Sequence, residues 1–148
     1  MVKLDAMARR ALRWSASVVA LGLAVGASAG EPIDPIPQTL SHDPRRAALG
    51  AQLFVDKRLS QNSQVACISC HDLGQGGADN RRFSLGVNQA EGKINAPTVF
   101  NSAFNFRQFW DGRASSLHQQ VDGPVHDPAE MATDWPSILE KLGKDSAL

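Results

Sequence analysis

Tyrosine is absent from the 148-residue sequence, and aromatic residues make up only 6% of it. The two cysteines stand three positions apart, so no multi-disulfide framework can staple the fold. Neither charge is in excess, with 15 basic residues against 15 acidic ones. A chain without a basic surplus lacks the electrostatic footprint of a nucleic-acid binder. No apolar run reaches the ~20 residues that a membrane-spanning helix needs. Strand-like alternation and internal repeats are missing too, which argues against sheet and solenoid architectures. What is present is 43% hydrophobic and 20% charged, the composition of a globular domain.

The basic residues are unevenly placed. Lys3, Arg9, Arg10 and Arg13 precede an apolar stretch, Ser15–Ala27, that runs into Ala27-Ser28-Ala29. A basic head, a short apolar middle and an A-x-A ending are the parts of a secretory signal. The expectation is a Sec-type signal peptide over residues 1–29 and export to a bacterial periplasm, with no membrane attachment after cleavage. A retained N-terminal anchor is the alternative. The remaining 119 residues carry 11 basic and 14 acidic side chains, a net charge of −3, and suffice for one domain. Pro32, Pro35 and Pro37 hold residues 30–43 extended as a strap.

The domain proper is expected over residues 44–148. Asp43-Pro44 offers a cap and a proline at the first helical position, and Ala48, Leu49, Leu53 and Phe54 follow at helical spacing, predicting a helix over 44–55. A helical turn is expected over 66–72. Gly74 to Lys93 reads as a long loop of the kind that wraps a ligand. Residues 95–113 mix aromatics with asparagine without a clean period. A short helix is expected over 115–121, closed by Asp122-Gly123-Pro124. Another is expected over 134–142, with Ile138, Leu139 and Leu142 on one face and Gly143 as its stop. The fold class is all-α: a few short helices joined by long loops. Such a chain needs something else to fill its core.

Cys67-x-x-Cys70-His71 supplies it. Two thiols on one helical turn can add across the vinyl groups of a haem, and the adjacent imidazole then reaches the iron axially. A thioredoxin-type pair would follow a strand, and none precedes Cys67. A closed zinc site needs four ligands, and the motif offers three. A plain short-loop disulfide is the remaining alternative. One covalent haem c is the reading adopted, with Cys67, Cys70 and His71 as its ligands. Phe83, Leu85, Phe100 and Phe104 are wall candidates, since apolar contact with a macrocycle contributes about 25 cal/mol per Å² buried; ordinary core packing is the alternative for each.

The other face of the iron decides the chemistry. A strong sixth ligand favours electron transfer, and an open position favours small-oxidant chemistry. Met131, 60 residues after His71, is one candidate ligand, and His42, His118 and His126 are others. A mono-haem electron-transfer cytochrome with His71 and Met131 as axial ligands is therefore one reading.

The motifs around the haem sequence favour another. In order they are Leu49-Gly50, Leu53-Phe54, Asp56, Arg58-Leu59-Ser60, Gly76-Gly77, Asp79, Ser84, Gly86, Asn95-Ala96-Pro97-Thr98-Val99-Phe100-Asn101, Phe109-Trp110-Asp111-Gly112-Arg113, Gln120, Gly123-Pro124 and Glu130-Met131. Over roughly residues 40–135 the chain resembles the N-terminal haem domain of bacterial di-haem cytochrome c peroxidases and their MauG-like relatives. The resemblance implies a small cytochrome c-like domain that reduces hydrogen peroxide to water. Electrons would come from a small cytochrome or cupredoxin. It further implies His71 as the proximal iron ligand, Gln120 and Glu130 as the distal pair handling peroxide, Trp110 as an electron relay, and Asn95 as a calcium ligand. Met131 would then be a neighbour of Glu130 and no iron ligand. A homodimer is compatible with this reading.

Two departures from the family pattern stand out. The family commonly places a histidine 16 residues after the haem histidine; here that position is Val87, so an open or water-bound iron is expected. A MauG-like oxidation of a protein substrate gains credit from the same change. No second C-x-x-C-H precedes Leu148, so the expectation is a relative lacking the second haem domain, with weak peroxidase turnover of its own.

Overall fold

Asp43 starts the first helix as its sequence foretells. Its side chain accepts from the Arg45 N–H at 2.8 Å and the Arg46 N–H at 3.4 Å, and Pro44 opens helix α1, Pro44–Phe54. The computed structural model describes residues 35–144, so the expected signal peptide and its cleavage site lie outside the described residues. Backbone contacts divide the chain after Gln38, and the domain described below begins at Thr39.

Four further helices follow among the described residues. Helix α2 is Cys67–Cys70, α3 is Leu117–Gln120, α4 is Asp122–His126 and α5 is Trp135–Gly143. Short 3-10 turns at Lys57–Leu59, Leu73–Gln75, Val87–Gln89 and Ser102–Phe104 punctuate the loops. Among the described residues no strand forms, and the only extended pairings are single bridges, Leu85 with Glu91 and Gln108 with Ala114. None of the described helices is long and apolar enough to cross a membrane. The all-α class of short helices and long loops is what the structure has.

Two local expectations are corrected. Asp122-Gly123-Pro124 does not close a helix but begins one, α4. Pro124 sits in its first turn, where a backbone N–H would have no intrahelical partner, so the proline costs nothing there. Leu139 does not share the buried face of α5. Ile138 is 2% exposed and Leu142 half-buried, one turn apart, while Leu139 is rotated about 100° around the axis and is 67% exposed.

The packed centre is small. Val125, Met131 and Ile138 form a buried cluster, with Leu59, Val121 and Leu142 against it. Lys141 fastens α5 to the turn at Lys57–Leu59 by donating to the Ser60 and Gln61 carbonyls, at 2.5 and 2.9 Å. The Gln61 N–H donates to the Met131 carbonyl at 2.9 Å. Many large apolar side chains lie outside this cluster and are exposed, among them Phe100, Phe104, Phe106 and Trp110.

Candidate functional site

Helix α2 is a single turn held at both ends. At its start the Ala66 N–H donates to Ser69 Oγ at 3.0 Å, and at its end the His71 N–H donates to the Cys67 carbonyl at 2.9 Å. Cys67 and Cys70 therefore stand on one turn, both half-buried and both free thiols. Burial pushes both thiols up; for Cys70 the Asp79 carboxylate adds to it, with smaller contributions from Glu130 and Cys67 and a counteracting one from Ser84. Ser84 Oγ is buried without a hydrogen-bond partner.

His71 is oriented by a carbonyl. Its Nδ1 lies 3.2 Å from the Gly77 oxygen, which can only accept, so the proton resides on Nδ1 and the Nε2 lone pair is left for a metal. Gly77 is buried with φ +76, and a Cβ there would meet Thr98 Oγ1 at 3.0 Å and Val99 at 3.1 Å. The same carbonyl accepts the Val99 N–H at 3.2 Å, while Thr98 Oγ1 donates to the Gly76 oxygen at 2.6 Å. The Asn-Ala-Pro-Thr segment thus braces the turn that aims the imidazole. A hydrogen-bonded imidazole of this kind is the usual outer support of a metal-ligating histidine.

The distal expectations fall on one stretch of chain. Gln120 ends α3 and is half-buried, and Glu130 follows α4; among the described residues no hydrogen bond joins their side chains. Glu130 is exposed by accessible area, yet the protein around it desolvates the carboxyl enough to push it above its ordinary value. Asp127 pushes in the same direction, and Arg113 opposes both. Glu130 is held through its backbone: its carbonyl accepts the N–H of Val87 at 2.8 Å. Gly86 lies so close to this segment that a Cβ there would fall 2.1 Å from the Ala129 oxygen.

Trp110 is 63% exposed, and its Nε1–H donates to the Asn95 carbonyl at 3.2 Å, so the structure brings these two expected residues together. Asn95 itself is exposed. Among the described residues no group of three or more His, Cys, Asp or Glu side chains could hold a metal ion. Of the wall candidates, Phe83 and Leu85 are half-buried, whereas Phe100 is 51% and Phe104 39% exposed, so the latter two are not packed in the protein's own core.

Met131 is 6% exposed within the Val125–Ile138 cluster, and its environment is that of a packing residue. His42 and His126 direct Nδ1 to the carbonyls of Leu40 and Asp122, both at 2.8 Å, and His118 is exposed. Sequence reasoning did not assign the Gly77 carbonyl or Thr98 as supports of His71; Gly76-Gly77 and the Asn-Ala-Pro-Thr motif were the signals that could have found them.

The donor set fits a covalent haem. Two free thiols and an imidazole with a free Nε2 occupy one turn, and apolar side chains outside the packed cluster are exposed for a macrocycle to cover.

A family model described as di-haem cytochrome c peroxidase matches residues 44–148. The chain belongs to this family. It is 53% identical over 119 residues to the cytochrome c peroxidase Ccp of Escherichia coli, covering 80% of this chain and 26% of that protein. It is 46% identical over 141 residues to the cytochrome c551 peroxidase of Nitrosomonas europaea, covering 92% of this chain and 42% of that protein. The methylamine utilization protein MauG of Methylophilus methylotrophus is 37% identical over 74% of this chain and 33% of its own length. Among solved structures, a MauG-like protein associated with microbial copper homeostasis superposes with a TM-score of 0.67 and 27% identity, over 82% of this chain and 37% of that one. The chain thus spans less than half the length of each of these relatives.

Proposed function

We propose that this chain is a periplasmic haem peroxidase domain that reduces hydrogen peroxide to water with electrons from a small cytochrome or cupredoxin. The observation that carries the reading is the His71 imidazole, fixed by the Gly77 carbonyl on the turn that also bears Cys67 and Cys70. Haem, bound through Cys67, Cys70 and His71 Nε2, supplies an electrophilic iron to which peroxide oxygen can bind and through which electrons enter.

The residues then divide the work. Glu130 would move a proton from one peroxide oxygen to the other. Gln120 orients the peroxide by its amide. A carboxylate held above its ordinary value suits this task, because it must both accept and release a proton within one turnover. Trp110 is assigned the electron relay; its support is a large exposed ring pinned at Nε1. Overall one peroxide takes two electrons and two protons and yields two waters, each electron coming from one reduced donor molecule.

Val87 cannot bind iron, so the peroxide side is assigned an open or water-bound iron that needs no ligand release. Calcium at Asn95 belongs to this proposal as well. The greater identity to peroxidases than to MauG favours peroxide reduction over oxidation of a protein substrate. The test is peroxide-dependent oxidation of a reduced small cytochrome by haem-loaded protein. Turnover that is lost in Glu130→Gln, with haem content unchanged, is the expected result. Haem-loaded protein inert to peroxide overturns the reading.

A further inference from the structure

The loop between Gln108 and Ala114 is fixed at its ends and bare at its tip. The Gln108 N–H donates to the Ala114 carbonyl at 2.8 Å, Gln108 Nε2 donates to the Ser102 carbonyl at 2.9 Å, and both end residues are buried. Between them the chain turns through two left-handed positions, Phe109 at φ +66 and Gly112 at φ +69. Glycine adopts that state freely, whereas a bulky side chain does so only when its surroundings hold it there. The Gly112 N–H closes the turn on the Phe109 carbonyl at 3.1 Å. The Phe109 ring lies against α4, where a Cβ on Gly123 would fall 2.6 Å from it. At the tip stands Trp110, 63% exposed, with its Nε1–H on the Asn95 carbonyl at 3.2 Å. One exposed hydrogen bond competes with water and holds a large ring only weakly.

One guanidinium spans the residues on either side of that ring. Arg113 Cζ sits 3.4 Å from the Phe109 centroid, so the cation lies on the residue before Trp110. Arg113 Nη1 donates to both Asp111 carboxylate oxygens at 3.0 Å, and the Arg113 N–H donates to Asp111 Oδ1 at 3.2 Å. The residue after Trp110 is thus gripped by the same side chain. We propose that Arg113 is a positioning residue for Trp110: stacked on Phe109 and tied to Asp111, it holds both neighbours of the indole at once and sets the orientation in which the ring is presented. Arginine suits this task because its plane stacks on an aromatic face while its N–H groups reach a carboxylate; a lysine ammonium is a point charge without that plane. The Arg113 and Asp111 side chains are 57% and 60% exposed, and exposed pairs contribute little to global stability. What the clamp supplies is local order at Trp110.

The inference rests on the assignment of Trp110 as electron relay, and its first readout needs no turnover. In haem-loaded ferrous protein made diamagnetic with carbon monoxide, nitrogen relaxation reports the order of the Trp110 indole N–H, assigned by its loss in Trp110→Phe. The wild-type order parameter should be that of a rigid group, about 0.85, and should fall below about 0.6 in Arg113→Ala. Asp111→Ala removes the other arm of the clamp and should loosen the indole as well, and Arg113→Lys should fall between. Thermal midpoints should stay near that of wild type, as for surface substitutions. Oxidation of a reduced small cytochrome should slow several-fold in Arg113→Ala and in Asp111→Ala, with no further loss when the two are combined. The reaction of the ferric protein with peroxide, which does not pass through Trp110, should change less. An indole as ordered in folded Arg113→Ala as in wild type overturns the proposal, and so do losses that add in the double variant. Donor oxidation unchanged in Trp110→Phe overturns the relay assignment instead, a result that leaves the order parameters standing.

Discussion

The backbone N–H of Val87 donates to the carbonyl of Glu130 across 2.8 Å. Val87 is 3% exposed, so the loop that carries it is packed and fastened to the segment bearing the distal carboxylate. The side chain at this position offers no lone pair to a metal. The ferric, haem-loaded protein is therefore expected to be largely high-spin by low-temperature spin resonance, and Val87→His to convert much of it to low-spin while slowing the reaction with peroxide. A purely low-spin wild-type spectrum would count against the open site.

Gly86 makes that fastening possible. A methyl group there would fall 2.1 Å from the Ala129 oxygen and 2.4 Å from the Glu130 oxygen, and both are backbone atoms that cannot swing aside. Gly86→Ala is expected to destabilise the fold by at least the ~1–3 kcal/mol typical of overpacking. Because two of the three displaced atoms belong to Glu130, peroxide turnover should fall more than haem content does. Thermal unfolding and turnover per haem, measured on one preparation, check both parts.

The proximal side invites a subtler change. Thr98 Oγ1 donates to the Gly76 carbonyl at 2.6 Å and accepts the Phe100 N–H at 3.1 Å, holding the turn whose next carbonyl orients His71. Thr98→Val keeps the shape and deletes both bonds, at a cost of about 0.5–1.5 kcal/mol for each net hydrogen bond. A looser Nδ1–H bond makes the imidazole a poorer electron donor, so the ferric/ferrous potential should move upward. Redox titration of the variant decides it; an unchanged potential would mean that Gly77 holds its place without Thr98.

How much of this was legible in the sequence depends on the range of each interaction. The starts of α1 and α5 were readable because Asp43-Pro44 and Pro136 are local signals; Asp43 caps as expected, and Asp134 caps α5 as well. The haem turn was readable because spacing alone puts Cys67, Cys70 and His71 together. Pro124 was misread because a proline stops a helix or opens one according to where the helix begins, which the sequence left open there. The His71 brace was not legible, since it needs a left-handed Gly77 and a threonine 22 residues beyond Gly76. Nor was the left-handed Phe109, φ +66, whose ring lies against Gly123 on α4.

Asp56 gives a prediction at acid pH. Its carboxylate accepts from Arg58 Nε at 3.0 Å to each oxygen and from Nη2 at 2.5 Å, and it caps the following turn by accepting the Arg58 N–H at 2.9 Å. The side-chain bonds from Arg58 hold its carboxyl below the ordinary 3.8, outweighing the opposing desolvation. A carboxyl lowered in the folded state stabilises the fold above its unfolded value, and that contribution fades as pH falls from about 3.8 through the folded value. Asp56→Asn keeps a capping oxygen and removes the charge, so it should cost stability at neutral pH and flatten the loss below pH 4. Asp56→Ala removes the cap as well and should cost roughly a further 0.5–2 kcal/mol at every pH. Urea midpoints of the three proteins at neutral pH and near pH 3 separate the two contributions. Equal acid sensitivity in wild type and Asp56→Asn would show that the pair with Arg58 does not contribute to acid stability.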